Sequence, residues 1–167
     1  EELQKKIEIE FKNPQLLHNA LVHRSFLNES NETESNERLE FLGDAVLEFI
    51  VSKELFSTFP ELQEGELTSL RANLVNTDSL AMSAREIGLG QMIYLSKCEE
   101  KGGGRESTSL LANTFEALIG ALFMDQGTPA AEKLIKSFIL TRTQVAMENL
   151  KDAKSLLQEK VQAAGSK

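Results

Sequence analysis

Residues 36–47 read Asn-Glu-Arg-Leu-Glu-Phe-Leu-Gly-Asp-Ala-Val-Leu, and this stretch decides the interpretation of the fold. It places the carboxylates of Glu37, Glu40 and Asp44 within roughly 60° of one another on an α-helix. The apolar residues of the same helix are expected to point broadly the other way: Leu39, Leu42, Val46, Phe49 and Ile50. Because crowded carboxylates repel one another, the pattern indicates either a solvated helix face or a cation site.

A second acidic motif lies in residues 110–121, which read Leu-Leu-Ala-Asn-Thr-Phe-Glu-Ala-Leu-Ile-Gly-Ala. Asn113 and Glu116 share one face of this otherwise apolar helix. An amide carbonyl and a carboxylate are both oxygen ligands suited to hard cations. If the two helices cross here, Glu40 and Asp44 would join Asn113 and Glu116 in one oxygen cage.

Helical periodicity runs through nearly the whole chain and predicts an all-α fold with a single domain over residues 1–148. The cap and helix-start pairs Asn13-Pro14 and Thr128-Pro129 predict where two helices begin. We expect a mobile polar loop over 28–35, a brief apolar stretch of strand-like character over 89–95, and a flexible break at Gly102-Gly103-Gly104. The predicted helices are 14–27, 36–57, 64–75, 77–87, 109–125, 128–149 and, as an amphipathic segment, 152–164.

The composition narrows the functional classes. Cys98 is the only cysteine, which excludes an intrachain disulfide, and no run of about twenty apolar residues predicts a membrane span. The first residues lack the apolar core of a signal peptide, so we expect a cytoplasmic protein. The net charge of −8 argues against ordinary phosphate binding, although residues 128–167 hold seven basic and four acidic side chains. Bound metal would supply the positive charge that the acidic body lacks.

Both acidic motifs resemble those of the ribonuclease III catalytic domain, and His23-Arg24-Ser25 and Glu64-Gly65 resemble two further stretches of that family. The resemblance implies a helical, Mg²⁺-dependent endonuclease, in which Mn²⁺ can replace Mg²⁺, with no small-molecule cofactor and no membrane partner. It implies cleavage of double-stranded RNA by a homodimer, leaving 5′-phosphate and 3′-hydroxyl ends. Residues 149–167 resemble a linker and the truncated start of a double-stranded-RNA-binding domain.

The resemblance also assigns roles to individual residues. It implies that a metal-activated water attacks the phosphate in line, with no Ser or Cys nucleophile. The catalytic carboxylates carried over from the family are Glu37, Glu40, Asp44 and Glu116, the metal ligands are Glu40, Asp44, Asn113 and Glu116, and Glu64 belongs to the same acidic valley.

Asn113 departs from the family, which most often has Asp at this position. The amide offers an oxygen without a charge, so we expect weaker Mg²⁺ binding. This departure supports one alternative, a non-cleaving double-stranded-RNA-binding or ribosome-associated relative. A di-iron bundle would need Glu-x-x-His motifs, and the sequence contains none.

Several other residues have a structural and a functional interpretation. Phe41 lies about 40° from Glu37 on the helical wheel, and it is either a core residue or, as in the family, an exposed anchor that inserts into the partner subunit. His23 is expected to be a packed, hydrogen-bonded residue. Glu64 either caps a helix or joins the catalytic valley. The candidate substrate contacts are Glu64, Arg71, Asn73, Lys97 and Lys101.

Overall fold

The computed structural model describes residues 2–150 and residue 162. Helices account for most of this part of the chain, joined by short 3₁₀ turns, and a further helical segment covers 143–150. The helices are α1 (Glu2–Ile7), α2 (Pro14–Leu21), α3 (Glu37–Thr58), α4 (Glu64–Val75), α5 (Thr77–Glu86), α6 (Lys97–Lys101), α7 (Thr108–Gln126) and α8 (Thr128–Phe138). The prediction of an all-α fold is confirmed.

Helix α7 is the centre of the fold. It packs most extensively against α3, and then against α5, α2 and α8. Its sequence is apolar on nearly every side because neighbours cover nearly every side, and Phe115, Leu118 and Leu122 are fully buried. Asn113 and Glu116 are the polar interruptions that reach its less buried face.

Helices α3 and α7 cross with their backbones in direct contact. A Cβ atom added to Gly43 would overlap the carbonyl oxygen of Glu116 and lie 3.0 Å from the Gly120 nitrogen. A Cβ atom on Gly120 would overlap the carbonyl oxygen of Leu39 and lie 3.1 Å from the Gly43 nitrogen. Only glycine permits this approach, so the crossing point is fixed at Gly43 and Gly120.

Helix α2 ends earlier than the predicted residue 27. Asn13 caps it as expected, since its side chain accepts from the Gln15 N–H at 3.0 Å. Val22 is extended and forms an isolated parallel bridge with Tyr94, and the Tyr94 N–H donates to the Leu21 carbonyl at 2.9 Å. The chain resumes as a 3₁₀ turn over Arg24–Asn28. The predicted extended character of 89–95 is therefore limited to this bridge, since Leu89–Met92 is another 3₁₀ turn.

Helix α8 is also shorter than predicted, because it ends at Phe138 and not near residue 149. The Ser83 hydroxyl donates to the Phe138 carbonyl at 2.9 Å, and Arg142 donates to Ser83 Oγ at 2.8 Å. These bonds tie the chain to α5 at a 3₁₀ turn, before it becomes helical again at 143. The prediction of Thr128 as the cap is wrong, since Gly127 holds the cap position with a φ of 75°.

The polar segment 28–35 contains no regular helix beyond Asn28, as predicted, but it is tied to the body at two points. His18 Nε2 lies 2.8 Å from Glu32 Oε1, and the Lys97 N–H donates to the Glu29 carboxylate at 3.1 Å. Of the glycine run 102–104, Gly102 and Gly103 separate α6 from a 3₁₀ turn that begins at Gly104 and ends at Glu106.

No helix among the described residues combines the length and apolar content needed to cross a bilayer. The predicted linker and truncated RNA-binding domain over 149–167, and the amphipathic segment 152–164 within them, lie outside the described residues, apart from residues 149, 150 and 162.

Candidate functional site

The two acidic motifs meet where α3 crosses α7. Gly43 precedes Asp44 in α3, and Gly120 follows Glu116 by one helical turn in α7. Backbone contact at the two glycines therefore brings the carboxylates of Glu40, Asp44 and Glu116 to the same side of the molecule. The predicted crossing of these two helices is present.

The electrostatics of these carboxylates show that they interact. Burial, followed by the negative charges of Asp44 and Glu40, raises the pKa of Glu116 from its usual 4.5 to about 7. Burial also raises the pKa of Glu40, with the charges of Glu37 and Asp44 adding to the effect. Near neutral pH the site therefore holds more negative charge than its surroundings stabilise.

A polar groove of about 430 Å³ opens beside these carboxylates. We use this name for the surface lined by His23, Arg24, Asn36, Glu37, Glu40, Glu99, Ser107, Ser109, Leu110, Asn113 and Thr114. Glu37, Glu40 and Asn113 face this groove together, whereas Asp44 and Glu116 are not part of its lining. Asp44 and Glu116 interact electrostatically with Glu40, so the five predicted site residues of α3 and α7 lie in one region of the structure.

The side chains as they stand are neighbours without forming a closed ion cage. Among the described residues, no group of three or more His, Cys, Asp or Glu side chains is close enough to hold a metal ion. The donor set nevertheless fits a hard cation, because three carboxylates and one amide supply only oxygen ligands. Unscreened repulsion between Glu40, Asp44 and Glu116 favours their separation, and a divalent cation would remove that repulsion.

Glu64 and Arg71 lie away from the polar groove and instead line an apolar groove. We define that groove by Phe49, Phe56, Leu62, Leu67 and the neighbouring polar residues; its volume is about 620 Å³. The structural interpretation fits both residues: Glu64 starts α4 and accepts from Thr68 Oγ1 at 3.1 Å, while Arg71 Nε pairs with Glu48 at 2.8 Å. The cap of α4 is Gln63, so the prediction of Glu64 as a cap is wrong.

Asn73, Lys97 and Lys101 also lie outside the lining of the polar groove. The Asn73 side-chain amide donates to the Ser69 carbonyl within α4 at 3.0 Å. Lys97 and Lys101 are the first and last residues of the short helix α6, and both are exposed. Glu99 of that helix does line the groove, so α6 borders it.

His23 is a packed, hydrogen-bonded residue, as expected. Its ring caps the following 3₁₀ turn by accepting from the Ser25 N–H, and Nδ1 lies 2.8 Å from Ser25 Oγ. Burial lowers its pKa, against the opposing charge of Glu99.

Phe41 is an exposed residue of α3 and not a core residue, because 81% of its surface is accessible. It lies in a shallow apolar hollow with Leu16, Leu42 and Met124. Phe49, which was expected on the apolar side of α3 away from the carboxylates, lines the apolar groove and is 61% exposed. Helix α3 therefore presents three phenylalanines to the surface, Phe41, Phe49 and Phe56.

Sequence reasoning missed the residues that build the site without carrying charge. Gly43 and Gly120 decide where the helices cross, and the available signal was a glycine inside each of two otherwise regular helical patterns. Glu99 was missed because α6 has only five residues and shows no periodicity.

These features define a class of protein: an all-α domain whose acidic centre lies between two crossing helices and has the donor chemistry of phosphodiester hydrolysis. The family model described as Ribonuclease-III-like matches residues 13–143. The Ribonuclease 3 of Geobacillus kaustophilus is 47% identical over 169 residues, covering 99% of this chain and 69% of the relative. That of Bacillus velezensis is 44% identical, covering 98% of this chain and 67% of the relative.

A solved nuclease domain of ribonuclease III from Campylobacter jejuni superposes with a TM-score of 0.78 at 42% identity, over 83% of this chain and 94% of that one. That nuclease domain is described as structurally flexible in a region involved in dimer formation. This chain therefore belongs to the ribonuclease III family of endoribonucleases. It spans about two thirds of the length of the curated relatives. The non-cleaving alternative receives no support from these relatives, which are named as ribonucleases.

Proposed function

We propose that this ribonuclease III-type chain cleaves double-stranded RNA in a Mg²⁺-dependent reaction that leaves 5′-phosphate and 3′-hydroxyl ends. The observation that supports the proposal is the burial of Glu116 beside the negative charges of Asp44 and Glu40, which together raise the pKa of Glu116 to about 7. A folded protein that keeps such carboxylates together gains most when a cation binds between them.

Glu40, Asp44 and Glu116 are the proposed charged ligands, and Asn113 adds a neutral carbonyl oxygen. Bound at these residues, Mg²⁺ would polarise the scissile phosphate and lower the pKa of a coordinated water. Glu37 lines the polar groove, and its carboxylate accepts from Ser35 Oγ at 2.7 Å. We assign it an orienting role in this groove.

Basic side chains near the polar groove are the proposed contacts for the RNA backbone. Arg24 lines the groove, and Lys97 and Lys101 lie on the helix that borders it. Arg71, Asn73 and Glu64 are proposed as secondary substrate contacts on α4. With few cations and a net charge of −8, we expect weak RNA binding that depends strongly on salt.

The active assembly is proposed to be a homodimer in which Phe41 is the anchor. A phenylalanine exposed over 81% of its surface beside an apolar hollow is the kind of residue that fills a pocket on a partner. A twofold dimer would place two sites across one duplex.

The test is a cleavage assay on an end-labelled RNA duplex, first with Mg²⁺ and then with a chelator in excess. We expect the labelled strand to become shorter only with Mg²⁺. An exonuclease that requires a 5′-phosphate should then degrade the products. Glu116→Gln should reduce cleavage at least a hundredfold, since it removes a charged ligand at the crossing.

The matched control is Glu148→Gln, which makes the same change at an exposed residue outside the groove. It should cleave like the wild type. Equal cleavage by Glu116→Gln and the wild type, or cleavage that persists in the chelator, would contradict the proposal.

A further inference from the structure

The backbone contact between α3 and α7 is unusually close and occurs beside the carboxylates. Adding a single methyl group to either Gly43 or Gly120 would place it inside the other helix's backbone. Neither clash involves the movable end of a side chain, because the atoms in the way are the carbonyl oxygens of Glu116 and Leu39. A side chain at either position therefore has to push the helices apart.

The atoms in this contact belong to residues that are, or immediately precede, the proposed ligands. Gly43 touches the carbonyl of Glu116 itself, and Gly120 touches the carbonyl of Leu39, which precedes Glu40. The backbones that carry the ligands of α3 and α7 are therefore in direct contact beside those ligands. Their separation is determined by this contact and by the lengths of their side chains.

We propose that Gly43 and Gly120 are positioning residues that set the spacing of the divalent-metal ligands across α3 and α7. This inference rests on the proposed function. Mg²⁺ demands short, nearly octahedral oxygen contacts, and ligand distances at metal sites tolerate only about 0.2 Å of variation. Separating the helices by about 1 Å exceeds that tolerance, whereas a helix pair far from a metal would tolerate it at the cost of stability alone.

The experiment compares Mg²⁺ binding to the metal-free protein, measured by calorimetry, with the Mg²⁺ dependence of duplex cleavage. Gly120→Ala and Gly43→Ala should weaken Mg²⁺ binding at least tenfold and raise the Mg²⁺ concentration for half-maximal cleavage by a similar factor. The KM for the duplex at saturating Mg²⁺ should change by less than twofold, because the side chains proposed to contact the RNA backbone, Arg24, Lys97 and Lys101, lie outside α3 and α7.

Two controls separate positioning from stability. Gly65→Ala makes the same substitution in α4, where nothing lies within 4 Å of the added atom, and it should bind Mg²⁺ like the wild type. Leu118→Ala removes fully buried volume from α7 on the side away from Glu116. It should lower the melting temperature at least as much as the glycine variants and leave Mg²⁺ affinity within twofold.

A rescue variant tests the spacing directly. Asp44→Glu lengthens one ligand by a methylene, so it should weaken Mg²⁺ binding in the wild type yet recover part of the binding lost in Gly120→Ala.

Wild-type Mg²⁺ affinity in both glycine variants would overturn the inference, as would equal weakening in Leu118→Ala. Failure of both glycine variants to fold while Leu118→Ala folds would also overturn it, by making the contact a requirement of the fold. A wild type that neither binds Mg²⁺ nor cleaves would instead refute the proposed function.

Discussion

Asn113 is the one uncharged member of the proposed ligand set, and its effect is testable at the scale of one atom. It lines the polar groove with Glu40, and its amide adds no negative charge. Asn113→Asp should lower the Mg²⁺ concentration for half-maximal cleavage several-fold, because the added charge strengthens attraction to the cation. The measurement is a Mg²⁺ titration of the cleavage rate.

The matched control for this prediction is Asn149→Asp, which adds the same charge at an exposed position outside the groove. Its Mg²⁺ titration should coincide with that of the wild type. A strong loss of cleavage in Asn113→Asp would show that Asn113 is not a ligand.

The raised pKa of Glu116 predicts how the stability of the metal-free protein depends on pH. Its pKa of about 7 in the folded state lies above the ordinary value of 4.5, so the folded state binds the proton more tightly than the unfolded state. The ionised carboxylate therefore destabilises the fold above pH 7, and this cost is relieved as the pH falls from 7 towards 4.5. Solvent reaches part of the side chain and screens its charge, so we expect a cost of about 1–2 kcal/mol.

Glu116→Gln is the variant that reveals this contribution. Relative to the wild type, its melting temperature in a chelator should rise by several degrees at pH 8, and the two proteins should converge near pH 5. Added Mg²⁺ should stabilise the wild type more at pH 8 than at pH 6, since the cation competes with the proton. Parallel pH profiles for the two proteins would contradict the assignment.

The residues also show what sequence could and could not determine. Spacing alone put Glu40 and Asp44 on one face of α3 and Glu116 on a face of α7, because helical geometry fixes which residues share a face. It could not show how much of the apolar arc of α3 is covered, so it gave no indication that Phe49 is exposed. That arc is buried where α7 crosses, at Val46 and Ile50, whereas Phe49 borders the apolar groove.

At the scale of elements, sequence predicted the helix boundaries that are set by capping residues nearby in the chain. It did not predict the boundaries that are set by contacts with distant residues. The junction of α4 and α5 at Asn76 is a local signal, whereas the early end of α2 depends on pairing between Val22 and the distant Tyr94. No window around residue 22 contains that information. The end of α8 likewise depends on Ser83, which is 55 residues away from Phe138.

Asn76 gives a prediction at this scale. Its side chain accepts from the Ser79 N–H at 2.9 Å and caps α5. Asn76→Ala should cost about 1 kcal/mol and lower the melting temperature by about 2–4 °C, because an amide donor of the first turn loses its acceptor. The measurement is thermal unfolding followed by circular dichroism.

Asn73→Ala is the matched control for the cap, because it removes the same side chain from the interior of α4. Alanine favours a helix interior, so this variant should melt at or slightly above the wild-type temperature. If Asn73 contacts substrate as proposed, the variant should still raise the KM for the duplex. Equal destabilisation by the two variants would show that the Asn76 bond does not stabilise α5.

For the whole molecule, the decisive features are an acidic surface and a helix that exposes three phenylalanines. Exposed aromatic side chains of this size are rare on monomers and favour a buried interface. Net charge of like sign opposes self-association, so the apolar exposure of α3 carries the argument for a dimer. In such a dimer one duplex would contact the few cations of both subunits.

Phe41→Ala is the variant that tests that assembly. Because Phe41 is the most exposed large apolar side chain among the described residues, truncating it should remove much of an anchor's contact area. Light scattering should then show a shift from dimer towards monomer, with a dissociation constant for the dimer that is at least tenfold larger. Cleavage per chain should fall at low protein concentration and recover as the concentration rises, since each site of the variant remains intact.

Val145→Ala, which truncates another exposed side chain on the segment 143–150, should leave both mass and activity unchanged. An unaltered dimer in Phe41→Ala would remove Phe41 from the interface and leave Phe49 and Phe56 as the exposed aromatic residues to test.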